Sequence, residues 1–181
     1  MAYVGLTRPV IAVYKEQNGA VSYENGTRFG KAVKYEISPN YEDVSDYQDI
    51  NETDPAEEIR SVEITLETSR IPEHAEAVMF GYGINGDETI ANQNNKASPI
   101  GLGIVTREVI AGTTYYVAYW VHKVLFREEG RTHETKGDTI TYTTPSVKGT
   151  AVPDYNGNWR TKKRFTSKAE ADAWIDEKAG I

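Results

Sequence analysis

Apolar and polar residues alternate along most of the chain, the period of a half-buried antiparallel strand rather than of a helix. In Ser61-Val62-Glu63-Ile64-Thr65-Leu66-Glu67, Val62, Ile64 and Leu66 share one face and Ser61, Glu63, Thr65 and Glu67 the other. Residues 32–37 repeat the pattern, with Val33, Tyr35 and Ile37 inward against Lys34 and Glu36. Residues 139–143 do the same, with Ile140 and Tyr142 inward against Thr139, Thr141 and Thr143. Further strands are predicted at 10–15, 20–23, 100–109, 114–127, 146–152 and 159–165, and Asn18-Gly19 and Ala111-Gly112 sit where tight hairpins must turn. Two segments change period. Pro72, followed by Glu73 and Glu76 and flanked by Ile71, Ala75, Val78 and Met79 at helical spacing, predicts a helix that starts at Pro72 and stops at Gly81 and Gly83. Ser167 and Glu170 make a capping box for a C-terminal helix over 166–179, with Ala171, Trp174 and Ile175 as its apolar face and Gly180 as its C-cap. The expected fold class is mainly β (α+β), in one domain.

Residues 40–58 fit neither period. They hold eight acids, Glu42, Asp43, Asp46, Asp49, Glu52, Asp54, Glu57 and Glu58, and no base. The segment is expected to be a long acidic loop between two strands, and a connection of that length is normally functional or disordered. Tyr41, Val44, Tyr47 and Ile50 recur every three residues, enough for a helical turn or two with a side to bury.

Composition narrows the function classes. The chain has 181 residues, 12 of them tyrosine and none cysteine, so disulfide scaffolds and thiolate metal sites are out. Its 27 acids against 20 bases give a net charge of −7, which argues against a whole-domain grip on nucleic acid. The charge is split: residues 1–90 carry 17 acids and 7 bases, net −10, and residues 91–181 carry 10 acids and 13 bases, net +3. In a self-associating protein that split lets one end of a copy attract the other end of the next. No run approaches the length of an apolar membrane helix, and residues 1–10 lack signal-peptide features, so folding in a cytoplasm is expected. The sequons Asn25-Gly26-Thr27 and Asn51-Glu52-Thr53 then carry little weight.

Most candidate chemistry fails on context. Gly81-Tyr82-Gly83-Ile84-Asn85-Gly86 matches a dinucleotide fingerprint, but a helix precedes the glycines where a strand is required. His74, His122 and His133 lie in a helix start, a strand and a polar loop, with no zinc-ligand spacing and no nucleophile elbow to serve. The acidic segment lacks the calcium ligand ladder. Arg160, Lys162, Lys163 and Arg164, between Trp159 and Phe165, suggest stacking on single-stranded nucleic acid, or an exposed edge meeting an acidic neighbour. No catalytic residue, cofactor or metal is expected.

Specific strings add to this. Met1-Ala2-Tyr3-Val4-Gly5-Leu6 with Pro9, Gly30-Lys31-Ala32-Val33 leading into Ile37-Ser38-Pro39-Asn40-Tyr41, and Ala77-Val78-Met79-Phe80-Gly81 are three of them. Thr135-Lys136-Gly137-Asp138-Thr139-Ile140, Thr144-Pro145-Ser146 and Ala169-Glu170-Ala171-Asp172-Ala173-Trp174-Ile175-Asp176 complete the set. Together, in order, they resemble the major tail proteins of long-tailed phages and prophages of Gram-positive bacteria. The resemblance implies a non-enzymatic tail tube subunit, a β-sandwich or partial barrel with flanking helices that closes into hexameric rings. The rings would stack around a lumen that passes DNA during ejection, in a virion tail assembled in the host cytoplasm with the tape measure protein and other tail proteins, without a membrane partner. It also implies an inter-subunit loop at Tyr41, Glu42, Asp43, Val44, Asp46, Tyr47, Asp49, Ile50, Glu52 and Asp54. The polar strand faces, Lys34, Glu36, Glu63, Thr65, Glu67, Thr139, Thr141 and Thr143, would line the bore with one base and three acids, −2 per copy. Arg160, Lys162, Lys163 and Arg164 are a candidate basic interface. Three alternatives stay open: a monomeric β-sandwich that binds ligands such as sugars on its tyrosines, an unrecognised hydrolase for which only the scattered histidines and acids speak, and the tube of a phage-tail-like bacteriocin.

Overall fold

Two long strands joined at Ala111-Gly112, β8 (Ile100–Ile110) and β9 (Thr113–Arg127), form the spine of the molecule. The computed structural model describes residues 2–7, 9–28, 30–44, 56–86, 88–130 and 144–181. The strand predicted at 139–143 lies outside them. The spine is flanked on both sides. Along one edge of β8 run β1 (Ala2–Leu6) and then β2 (Val10–Gln17), and β2 turns back into β3 (Ala20–Arg28). Along the free edge of β9 run β10 (Ser146–Ala151) and then β11 (Arg160–Phe165), and beyond β10 lie β5 (Ala56–Thr68) and β4 (Ala32–Val44). All pairings are antiparallel, and among the described residues the order β3-β2-β8-β9-β10-β5-β4 ends on two open strands rather than closing into a barrel. A small separate hairpin, β6 (Gly83–Asn85) with β7 (Glu88–Ile90), follows α1 (Glu73–Phe80), and α2 (Lys168–Ala179) ends the chain.

The two hairpin turns follow from their residues. Asn18 and Gly19 have φ of 51° and 79°, and Ala111 and Gly112 have 47° and 82°, the left-handed pairs that a two-residue hairpin demands. Alanine at the first of these positions is strained, and the long spine holds it there.

The sheet buries apolar residues on both faces. On one face Ile11, Val62, Ile64, Leu66, Ile100, Leu102, Ile104 and Val121 pack with Ala75 and Met79 of α1. On the other, Val10, Ala12, Val105, Ala118 and Trp120 receive Ala171, Ile175 and Ala179 of α2. Trp120 lies over Gly101 and Gly103 of β8, which have no side chain to obstruct it, and meets Tyr23 edge-on with ring centroids 4.9 Å apart. Burial pushes the Tyr23 hydroxyl up to about 12, and the hydroxyl donates to the His122 carbonyl at 3.0 Å. In β9, His122 and Lys123 together stand opposite the single residue Gly101, a β-bulge that returns Val124 and Phe126 to the face of Val121.

Several local expectations change. Val33 does not point inward: it is the extra residue of a bulge between Ala32 and Lys34 and is 53% exposed, whereas Tyr35 and Ile37 do pack on the core. Pro72 is the N-cap of α1 rather than its first residue, and Gly81 ends it with φ of 74°. Ser167 caps α2 in position but makes no side-chain hydrogen bond there, and Gly180 terminates it at φ 70°. Trp174 is half-buried against Phe165.

The expected loop over 40–58 is the largest correction. Tyr41, Glu42, Asp43 and Val44 belong to β4, and residues 56–58 to β5, so these ends are strand, not loop or helical turn. Asp46, Tyr47, Asp49, Ile50, Glu52 and Asp54 lie outside the described residues. Because β10 pairs only with residues 62–67 of β5, the distal part of the β4–β5 hairpin extends past the sheet as a two-stranded arm.

Candidate functional site

The polar side of β4, β5 and β10 is one continuous surface opposite the core. Pairing sets Lys34 against Glu67, Glu36 against Thr65 and Ser38 against Glu63, and across the other edge of β5 it sets Glu67 against Ser146, Thr65 against Lys148 and Glu63 against Thr150. Lys148 in turn pairs with Arg127 of β9. The expected wall residues Lys34, Glu36, Glu63, Thr65 and Glu67 therefore share a face, while Thr139, Thr141 and Thr143 lie outside the described residues. Sequence patterning overlooks Arg127 and Lys148, because nothing local says that β10 and β9 lie next to β5. They alter the charge: Lys34, Arg127 and Lys148 balance Glu36, Glu63 and Glu67, and Glu129, 2.7 Å from Lys148, brings the sum to −1. Glu36 beside Lys34 at 2.9 Å and Glu129 beside Lys148 hold both ammonium groups above their ordinary pKa. The surface is a lattice of neutralised charges and hydroxyls, able to hydrate strongly and grip little.

The arm and β11 carry the remaining candidates. Tyr41 is 55% exposed, and Arg60 forms an ion pair with Glu42. On β11, Arg160, Lys162 and Arg164 share the face of Tyr119, and Lys163 takes the opposite one. Arg160 stacks 4.4 Å from the Trp159 ring and 5.6 Å from that of Tyr119, Lys163 lies over Phe165, and Arg164 lies over Tyr115. Tyr115 and Tyr119 are thus covered by cations rather than presented as open platforms for a sugar. Arg164 alone of the four has a carboxylate partner among the described residues, Glu108 at 3.1 Å, which is only 2% exposed.

His122 is the centre of a buried clamp that no spacing in the sequence reveals. Its Nδ1 lies 2.9 Å from Asp154 and its Nε2 2.7 Å from the Thr161 hydroxyl; Asp154 also accepts the backbone N–H groups of Asn156 and Asn158 at 2.9 and 2.8 Å. The neutral ring satisfies both contacts, with Nδ1–H donating to the carboxylate and Nε2 accepting from Thr161. This joins β9, β11 and the 152–159 connection. Burial holds the His122 pKa below its ordinary 6.5, against the opposing pull of Asp154. The unfolded chain therefore takes up this proton more readily, so stability present above pH 6.5 is lost as pH falls through the depressed native value. Thermal unfolding followed from about pH 7.5 to 5 should show this loss, and His122→Gln should flatten the slope. An unchanged slope in that variant would assign the acid sensitivity to other groups.

Elsewhere no reaction centre is assembled among the described residues. The glycines after α1 serve as its C-cap and the start of β6, so no helix N-terminus faces them. His74 is exposed on α1, and His133 lies outside the described residues. Among the described residues no group of His, Asp and Glu side chains could hold a metal, and no helix is long and apolar enough to cross a membrane. A groove between β2 and α2 has cations on its rim, but Arg28 is paired with Asp176 and Lys168 with Asp172 at 2.5 Å. Comparison with known proteins finds neither a family model nor a curated protein that matches the chain.

Proposed function

We propose that this chain is the tail tube subunit of a long-tailed phage, closing in sixes into rings that stack around a DNA-conducting lumen. The number six and the phage setting come from the sequence resemblance. The observation that carries the proposal is a sheet with unlike strands, β3 and β4, left open at its two ends among the described residues, and a polar, nearly neutral face turned away from the core. Open edges are a liability that lateral pairing in a ring removes. A contact between unlike edges is head-to-tail, the kind that generates closed rings. The wall suits a conduit, because phosphate moving past it meets no net positive field to hold it.

Electron microscopy of the purified protein at high concentration tests the proposal. Rings or tubes are expected, and a particle that stays single at every concentration overturns it. A second expectation concerns the wall. Glu63→Lys with Glu67→Lys moves its charge from −1 to +3, by the tally of Lys34, Arg127 and Lys148 against Glu36, Glu63, Glu67 and Glu129. Tubes should still form while DNA ejection slows, since each added cation gives phosphate a place to dwell. Unchanged ejection kinetics would mean that this face does not meet DNA.

A further inference from the structure

The arm sets acid against acid with little to offset it among the described residues. In the β4–β5 register Glu42 stands opposite Glu58, both exposed, so acid faces acid across the pair. Like charges directly opposed across a strand pair weaken it. Arg60, on Glu42, is the one cation paired to these acids among the described residues.

The complementary charge lies on β11. Arg160, Lys162 and Lys163 are exposed and have no carboxylate partner among the described residues; aromatic rings hold them in place instead. The outer edge of β11 pairs with no strand among the described residues, and neither does the outer edge of β4. A strand with preset cations and a free edge fits an acidic strand with a free edge.

We infer that β11 is the receptor for the arm of a second copy of this chain, with Arg160 and Lys162, which share a face, set against Glu42 and Glu58. The inference rests on the self-assembly proposed above and names the surface that receives the arm. The cost of ordering the cations is reduced in advance, because Trp159 and Tyr119 already fix them. The contact should weaken with salt, since its charges lie at the surface.

Charge exchange tests it. Arg160→Glu with Lys162→Glu should raise the concentration needed for assembly by about a hundredfold, and Glu42→Lys with Glu58→Lys should do the same. All four substitutions in one chain should restore assembly, an outcome that a general loss of folding would not give. Circular dichroism and a cooperative thermal transition establish that each variant is folded. If the wild type assembles and folded variants assemble equally well, or the fourfold exchange fails to restore them, the receptor is elsewhere and the tube proposal stands. If the wild type never associates, both fall.

Discussion

A chain in which residues 41–60 are replaced by Asn-Gly should fold as a stable monomer and form no tubes. The substitution cuts the arm where Asn40 pairs with Ser61, and Asn-Gly closes a hairpin there with the positive φ values it needs. Val62, Ile64 and Leu66, which fill the core, stay in register with β10. Among the removed residues whose burial is described, Ile59 is the half-buried apolar one, a loss of about 1–2 kcal/mol. Size-exclusion chromatography and electron microscopy would then separate stability from assembly. Tubes of normal appearance from the shortened chain would show that the arm is not an assembly element.

Gly103→Val should damage the sheet severely. A methyl group on Gly103 already lies 2.6 Å from Ile175 Cγ2 and 3.0 Å from the Trp120 ring, and the β8 backbone cannot retreat because β2 and β9 hold it on both sides. Either α2 lifts or Trp120 leaves its bed. Trp120→Ala empties the same place and should cost about 3–5 kcal/mol, a large share of the total stability of about 5–15 kcal/mol common to single domains. The two are coupled: Gly103→Ala should be less harmful in the Trp120→Ala background than in the wild type, because its methyl group then enters the space the indole left. Denaturant midpoints of the four chains measure this, and strict additivity would contradict the packing described.

Those positions also mark what the sequence could and could not convey. The alternation from Val62 to Leu66 was enough to orient β5, and Gly180 enough to end α2, because each depends on residues close by in the chain. The Val33 bulge escaped the pattern, since strict alternation has no symbol for an inserted residue. The arm strands did too: acids are poor strand formers, and they are held here by register with a partner strand rather than by propensity. Strand β1 was missed because it is short and contains Gly5 at a φ of 88°. The wall needed Lys148 and Arg127, and the clamp needed Asp154 and Thr161 around His122. All of these arrive through pairings between distant segments. What could be inferred locally was the face each residue occupies, not the neighbour it would meet there.

Strand β4 has one more property. Pro39 contributes no N–H to its margin, and Val33 throws the spacing of the remaining groups out of step a few residues away. An arbitrary extended peptide looking for a continuous row of donors and acceptors finds that row interrupted twice. Crowded nascent chains are in this way discouraged from sticking to one another at random, while a neighbour whose own irregularities match can still dock.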